Sequence, residues 1–261
     1  MKGWDGWARH AWGVKDASSI DLLTMADAAA TTLPALLTLR CCGERNTAAP
    51  FLVCWDDSGP TQTLSFRQFG ARVHVGVLRL RRQGVVGKGM HVGVLAHNSV
   101  DLWALSSAIV CCGAVCVLLN YRQPLAALVA MADAACVTRL LASGSLSSLA
   151  LQLKERANGI EDPMLFMAAD GVTLPSAAVD VSTGGDVAEA AAQGTSIFNF
   201  AGAEPDPHEV AVIFYTSGST STPKPVAHSH ASLLWSRREE SNWFRRATPP
   251  AFACSPPSGP L

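Results

Sequence analysis

The chain has 261 residues, a formal net charge of −1, 49% hydrophobic residues and 16% charged residues. That is apolar material for one large domain or two small ones, and it is not the composition of a disordered chain. Near-neutral charge without a long basic run argues against an electrostatic grip on nucleic acid or an anionic membrane.

The N-terminal stretch "MKGWDGWARHAWGVKDASS" lacks the continuous apolar core of a signal peptide, so residues 1–20 read as a soft extension. The expected location is cytoplasmic, with organelle targeting left open. Met25 to Leu39 predicts a helix interrupted or kinked near Pro34. "PFLVCWDD" from Pro50 reads as a strand, Asp57 to Pro60 as a turn, and "TQTLSF" as a second strand, so a hairpin is expected. Ser65 stands at an N-cap position before a helix from Phe66 to Gln83. Phe66, Phe69, Val73, Val77 and Leu80 give that helix its apolar face, Arg79, Arg81 and Arg82 gather in its last turns, and Gly84 stops it.

Met90 to Asn98 predicts the next strand. Leu102 to Leu119 is uncharged over 18 residues, the lower edge of membrane-spanning length. Its texture changes midway. Leu102 to Cys112 suits a buried helix, Gly113 punctuates, and "AVCVLL" is β-prone, so a helix, a turn and a buried strand are expected instead of a membrane span. Leu125 to Ala134 reads as a helix, "CVTRLLAS" as a strand, Leu146 to Arg156 as a helix and "PMLFMAA" as a short strand. Strands that are apolar runs, alternating with helices, predict an α/β fold whose largely parallel sheet is flanked by helices.

Asp170 to Pro207 reads as an irregular surface excursion with one short helix near Val187 to Ala192. Glu209 to Thr216 predicts a buried strand, and a helix is expected from about Ser229 to Phe244. Residues 247–261 hold five prolines in 15 positions and read as a tail. The eight cysteines include two adjacent pairs and no CxxC, which fits reduced, buried thiols better than a zinc or disulfide framework. "HSH" at His228 to His230 has no evident third ligand, so no metal site is assigned. His91, His97 and His208 read as strand-end or turn residues, and Asp56 and Asp57 as turn residues. No catalytic acid, base or nucleophile is assignable from spacing.

"FYTSGSTSTPKPVAHSH", Phe214 to His230, carries the chemistry. Placed between a strand and a helix, it would occupy the usual position of a phosphate loop. Gly218 allows close approach of a ligand to the backbone. Thr216, Ser217, Ser219 and Thr220 offer hydroxyls, and Lys224 offers a compact cation. It is not the GxxxxGK[ST] loop, because Pro223 precedes the lysine, and Pro225 follows it.

This run resembles the signature loop of the adenylate-forming (AMP-binding) enzymes: acyl-CoA synthetases, luciferases and peptide-synthetase adenylation domains. Their pattern reads Y-[TS]-S-G-[ST]-T-G-x-P-K-G-V-x-x-[ST]-H. Here Tyr215 to Thr220, Pro223, Lys224, Val226, Ser229 and His230 match, while Ser221 and Pro225 stand where glycine is usual. Upstream, "LSFRQFGARVHVGVLRLRRQGVVGKGMHVGVLAHNSVDLWALSSAIVCCGAVCVLLNYRQP" is similar to the family's early region, with Met90 for an acidic residue and Leu118 for a proline. The resemblance runs from about Thr24 to about Leu234.

The resemblance implies a ligase that activates a small-molecule carboxylic acid with ATP and Mg2+, usually passing the acyl group to coenzyme A. It implies that Thr216, Ser217, Gly218, Ser219, Thr220 and Lys224 hold the β- and γ-phosphates. It divides the chain into the extension, a partial N-terminal domain over 21–246 (with the 170–207 excursion) and the tail. The family's later Y-G-x-T-E and T-G-D motifs and C-terminal lysine are not found, so the expectation is a fragment, inactive alone and prone to self-association through uncovered surface. The alternatives are a non-catalytic nucleotide-binding or regulatory module and a truncated gene model without independent activity.

Overall fold

The computed structural model describes residues 30–42, 48, 50–56, 59–82, 84, 86–168, 173–176, 178–183, 204–216 and 223–235. The extension over 1–20, the tail over 247–261 and the short helix expected at Val187 to Ala192 lie outside them. In chain order the elements are α1 (Leu33–Cys42), β1 (Pro50–Asp56), β2 (Gly59–Ser65), α2 (Phe66–Arg82), β3 (His91–Leu95), α3 (Val100–Cys111) and β4 (Val115–Leu119). There follow α4 (Leu125–Ala134), β5 (Arg139–Ser143), a 3-10 turn (Gly144–Leu146), α5 (Ser147–Arg156), β6 (Leu165–Met167), β7 (Val179–Asp180), β8 (Val210–Thr216) and β9 (Lys224–Ser229). A last helix begins at residue 230 and is described to 235.

β1 and β2 form the expected antiparallel hairpin. The other strands make one seven-stranded sheet in the order β7-β6-β5-β3-β4-β8-β9. Every neighbouring pair is parallel except β8 with β9. The α/β class with a largely parallel sheet is therefore the observed fold.

Strand alternation sends the core to both faces of the sheet. Val92, Val94, Cys116, Leu141 and Leu165 face α1, α2 and α3. Leu95, Val117, Leu119, Leu140, Ala142 and Phe166 face α4 and α5. The uncharged run over 102–119 divides as its texture implied, into α3, a turn at Gly113 (φ 76°) and β4. Among the described residues no helix is long and apolar enough to cross a membrane.

Caps fix several boundaries. The Ser65 hydroxyl accepts from the Gln68 N–H at 3.2 Å, and the Gln68 side chain accepts from the Ser65 N–H at 2.8 Å. This reciprocal capping box starts α2 where the sequence placed it. Ser99 caps α3 by accepting from the Leu102 N–H. Gly84 ends the turn after α2 with φ 60°.

Two expectations are sharpened here. Of the interruption or kink expected near Pro34, the interruption fits: residues 30–32 are not helical and the described helix begins at Leu33, with Thr32 accepting from the Ala35 N–H at 3.2 Å. Proline lacks an N–H, and in a first turn that N–H has no intrahelical partner to lose. The part expected over Met25 to Ala29 lies outside the described residues. The excursion is also not wholly irregular, because Val179–Asp180 pairs with β6 as a parallel edge strand. Two residues are too few for a periodic signal. The thiols follow the sequence reading at Cys41, Cys111 and Cys116, which are buried and outside any disulfide, but Cys136 is exposed. It sits at φ 50° in the turn after α4, where a left-handed residue closes the helix end.

Helices α1 and α2 approach closely at Gly70, where an added Cβ would stand 2.5 Å from the Cys41 Cβ. Alanine is preferred over glycine inside a helix by about 1 kcal/mol, whereas overpacking costs about 1–3 kcal/mol. The Cys41 Cβ sits on the backbone and cannot swing away. Gly70→Ala is therefore expected to lower the midpoint of chemical denaturation, and a midpoint at or above the parent's would contradict the close approach.

Candidate functional site

The sequence placed the hydroxyl-rich loop between a buried strand and a helix. The structure places it between two antiparallel strands. β8 and β9 pair in a register that makes Phe214 a partner of Val226, Tyr215 of Pro225 and Thr216 of Lys224. The element after the loop is thus an edge strand, and the helix starts only at residue 230. β8 is also half-exposed, with Phe214 at 40% and Val210 at 37%. Two prolines within "PKPVAHS" disguise β9. Proline cannot donate to an inner ladder, but an edge strand leaves one side of its backbone free.

This changes the electrostatic reading of the loop. The helix at 230 lies at the far end of β9, six residues from Lys224, or roughly 20 Å along an extended chain. A helix dipole fades within the first turn, so this helix gives an anion at the loop nothing. What remains is the Lys224 charge and local hydroxyls and amides.

Of the six residues assigned to phosphate, Thr216 and Lys224 are described, and Ser217, Gly218, Ser219 and Thr220 lie outside the described residues. Thr216 and Lys224 are both exposed and face each other across the mouth of the loop. β4 pairs with β8 at Cys116 with Val212 and Val117 with Ile213. Continued upward, that register brings Thr216 level with Asn120, just past the C-terminal end of β4. This is the edge where open α/β sheets bind ligands.

The same edge carries polar groups, among them His97, which the sequence reading left as a strand-end or turn residue. The His97 N–H donates to the Ser143 hydroxyl at 3.1 Å, joining the ends of β3 and β5. The His97 ring meets Tyr121 edge-on, with centroids 4.4 Å apart. The Asn120 carboxamide oxygen accepts from the Arg122 N–H at 3.1 Å. β3 leads to a helix on one face and β4 to a helix on the other, so this is where the topology switches. A usable signal was present: Ser143 ends an apolar strand, and His97, Asn120, Tyr121 and Arg122 each follow one by one to a few positions.

Tyr215 holds the loop's first strand in place. Its hydroxyl donates to the Met131 carbonyl of α4 at 2.7 Å. Burial pushes the phenol up to about 12. His228 meets the Phe214 ring edge-on at 5.5 Å, which gives it a packing role. Among the described residues, no group of three or more His, Cys, Asp or Glu is arranged to hold a metal ion.

The sequence profile for "AMP-binding enzyme" matches residues 40–257. The chain belongs to the AMP-binding enzyme family. Among curated relatives, the L-proline–[L-prolyl-carrier protein] ligase of Pseudomonas fluorescens is 32% identical over 174 residues, 66% of this AMP-binding chain and 30% of that ligase. Among solved structures, the luciferase-like enzyme of the mealworm Zophobas morio superposes with a TM-score of 0.62 at 17% identity, covering 82% of this chain and 45% of that one. The A-PCP didomain of carboxylic acid reductase from Segniliparus rugosus, solved with AMP, gives 0.58 at 19% identity, covering 79% and 33%. This AMP-binding chain thus spans less than half the length of these three proteins, and the two structures share its fold.

Removing the Tyr215 hydroxyl leaves the Met131 carbonyl without that donor. Tyr215→Phe is expected to lose about 1 kcal/mol of stability, the usual net worth of such a bond. The phenol's raised folded value means that its contribution is whole below the unfolded value of about 10 and is lost as pH rises through the folded one. Denaturation at pH 8 and pH 11 checks both: the parent should weaken toward pH 11 more than the phenylalanine variant does.

Proposed function

We propose that this chain supplies the phosphate-handling part of a ligase that activates a small-molecule carboxylic acid with ATP. The reading makes the chain an incomplete N-terminal domain of such an enzyme. Thr216 and Lys224 as register partners at the C-terminal edge of the sheet carry it. A hydroxyl donor and a compact cation, held side by side by backbone pairing, suit the oxygens of a polyphosphate. Ser217, Gly218, Ser219 and Thr220 join them between the two strands, adding hydroxyls and a glycine that lets phosphate approach the backbone.

Bound ATP supplies an activated phosphoryl group. A carboxylate oxygen bonds to the α-phosphorus as the bond to the bridging oxygen of pyrophosphate breaks. The part of this chain is to orient the β- and γ-phosphates and offset the charge that grows on the departing pyrophosphate. Coenzyme A is the proposed acceptor, and Mg2+ the proposed metal. It is assigned no residue here.

Titration of the chain with pyrophosphate tests the reading. Lys224→Ala removes a charge-assisted hydrogen bond worth about 1.5–3 kcal/mol, so affinity should fall by roughly tenfold to a hundredfold. Lys224→Arg should restore only part of it, since a planar fork does not replace a compact ammonium. Binding by Lys224→Ala within twofold of the parent would reduce the loop to a surface turn. Acid-dependent ATP–pyrophosphate exchange by the 261 residues alone is expected to stay at background, and clear exchange would overturn the incomplete-domain reading.

A further inference from the structure

The base of the β8–β9 hairpin is closed by a histidine with an unusual partner. His230 follows β9, is only 2% exposed, and accepts through Nδ1 from the Leu33 N–H at 3.3 Å. Leu33 is the first residue of α1, 197 positions away in sequence. The imidazole therefore satisfies an orphan donor of the α1 N-terminus, a task usually done by a local cap. Backbone bonds complete the junction. The His230 N–H donates to the Glu209 carbonyl at 3.2 Å, and the Ala231 N–H to the Pro207 carbonyl at 2.7 Å. Ser229 caps the helix that starts here, accepting from the Ser232 N–H at 3.1 Å.

An acceptor at Nδ1 requires a ring that carries its proton on Nε2 alone. A second proton would turn Nδ1 into a donor aimed at another donor. We propose that His230 is a positioning residue whose neutral ring pins the β8–β9 hairpin to α1, and that its protonation releases the pin and shifts the loop mouth at the hairpin's other end. The link from hairpin to phosphate rests on the function proposed above. The pin itself does not.

The charged groups around the ring are Glu204 and Glu209 on the segment entering β8. Glu204 accepts from the Thr32 hydroxyl at 2.8 Å, and Glu209 pairs with Lys88 at 2.8 Å. From α1, the ring meets the Leu33 amide. Burial draws the ring below its ordinary value, while Glu209 and Glu204 act the other way. The sign follows. The contact is whole above the ordinary histidine value of about 6.5 and is lost as pH falls through the lower folded value.

The test uses the chain without any nucleotide, as parent, His230→Asn and His230→Ala, at pH 7.5 and pH 5.0. Asparagine places its carboxamide oxygen where Nδ1 stood, keeps the acceptor and cannot titrate. In the parent at pH 7.5, ring 15N shifts should show Nδ1 free of a proton. On moving to pH 5.0, protection of the His230 and Ala231 amides against exchange should fall by about fivefold, the worth of one cap. The Thr216 and Lys224 amide resonances should move with the same midpoint as the ring. His230→Asn should show none of these changes, and His230→Ala should be weakly protected at both values. A proton on Nδ1 at pH 7.5, or the same loss of protection in His230→Asn, overturns the proposal. Should His230→Ala fail to fold, the ring spectrum and the asparagine variant still decide. Lys224→Ala should keep the full pH response, so weak phosphate binding and a false pin leave different signatures.

Discussion

Everything at the candidate site hangs on the attachment of β8 to β4. Only two pairs define that ladder, Cys116 with Val212 and Val117 with Ile213, yet it sets the height of Thr216 against the other strand ends. Among the described residues β9 pairs with the sheet through β8, so the position of Lys224 is inherited from the same ladder. Side chains reinforce it on two sides. Tyr215 reaches α4 at the loop end, and His230 reaches α1 at the base. An edge hairpin has few neighbours of its own, so such bracing sets its position.

The topology also explains why a long connection precedes the hairpin. β7 and β8 are five places apart in the sheet, roughly 24 Å at ordinary strand spacing. The chain leaves one edge near residue 183 and rejoins at 204 beyond the other strands. The departure point is tied down. Asp101, in the first turn of α3, accepts from Arg72 at 3.2 Å, from the Thr183 N–H at 3.3 Å and from the buried Thr183 hydroxyl. Arg79 of α2 donates to the Ser182 carbonyl. A carboxylate at a helix N-terminus is favoured by the dipole, and here the same group anchors a strand exit.

The sequence made the middle of the fold legible. α2, α3, β4, α4 and α5 could be read within a few residues because each is either a periodic amphipathic run or a short apolar run bounded by glycine, proline or a cap. It failed where pairing decides structure. Val179–Asp180 becomes a strand because β6 offers an open edge, which no local pattern in two residues can announce. "PKPVAHS" becomes a strand because β8 offers its other edge, despite prolines that argue against one. The candidate site divides in the same way. Residue types and spacing singled out Thr216 and Lys224, but the pairing that sets them opposite each other is invisible in the chain. So is the histidine pin, whose partner lies 197 residues upstream.

The antiparallel hairpin has a consequence for how such a site must bind anions. In a strand–loop–helix arrangement, the helix terminus contributes aligned amides and a fixed partial charge before any side chain acts. Here the strand that follows the loop points its own amides sideways, into the ladder with β8 or out to solvent. Under the function proposed above, the burden falls on Lys224, which the register keeps beside Thr216. Pro225 next to that lysine fixes one backbone dihedral at the point where the charge is presented. A stiff strand end holding one cation is a different device from a dipole. It is more sensitive to the loss of that side chain, and it is governed by whatever holds the hairpin to the sheet and to α1.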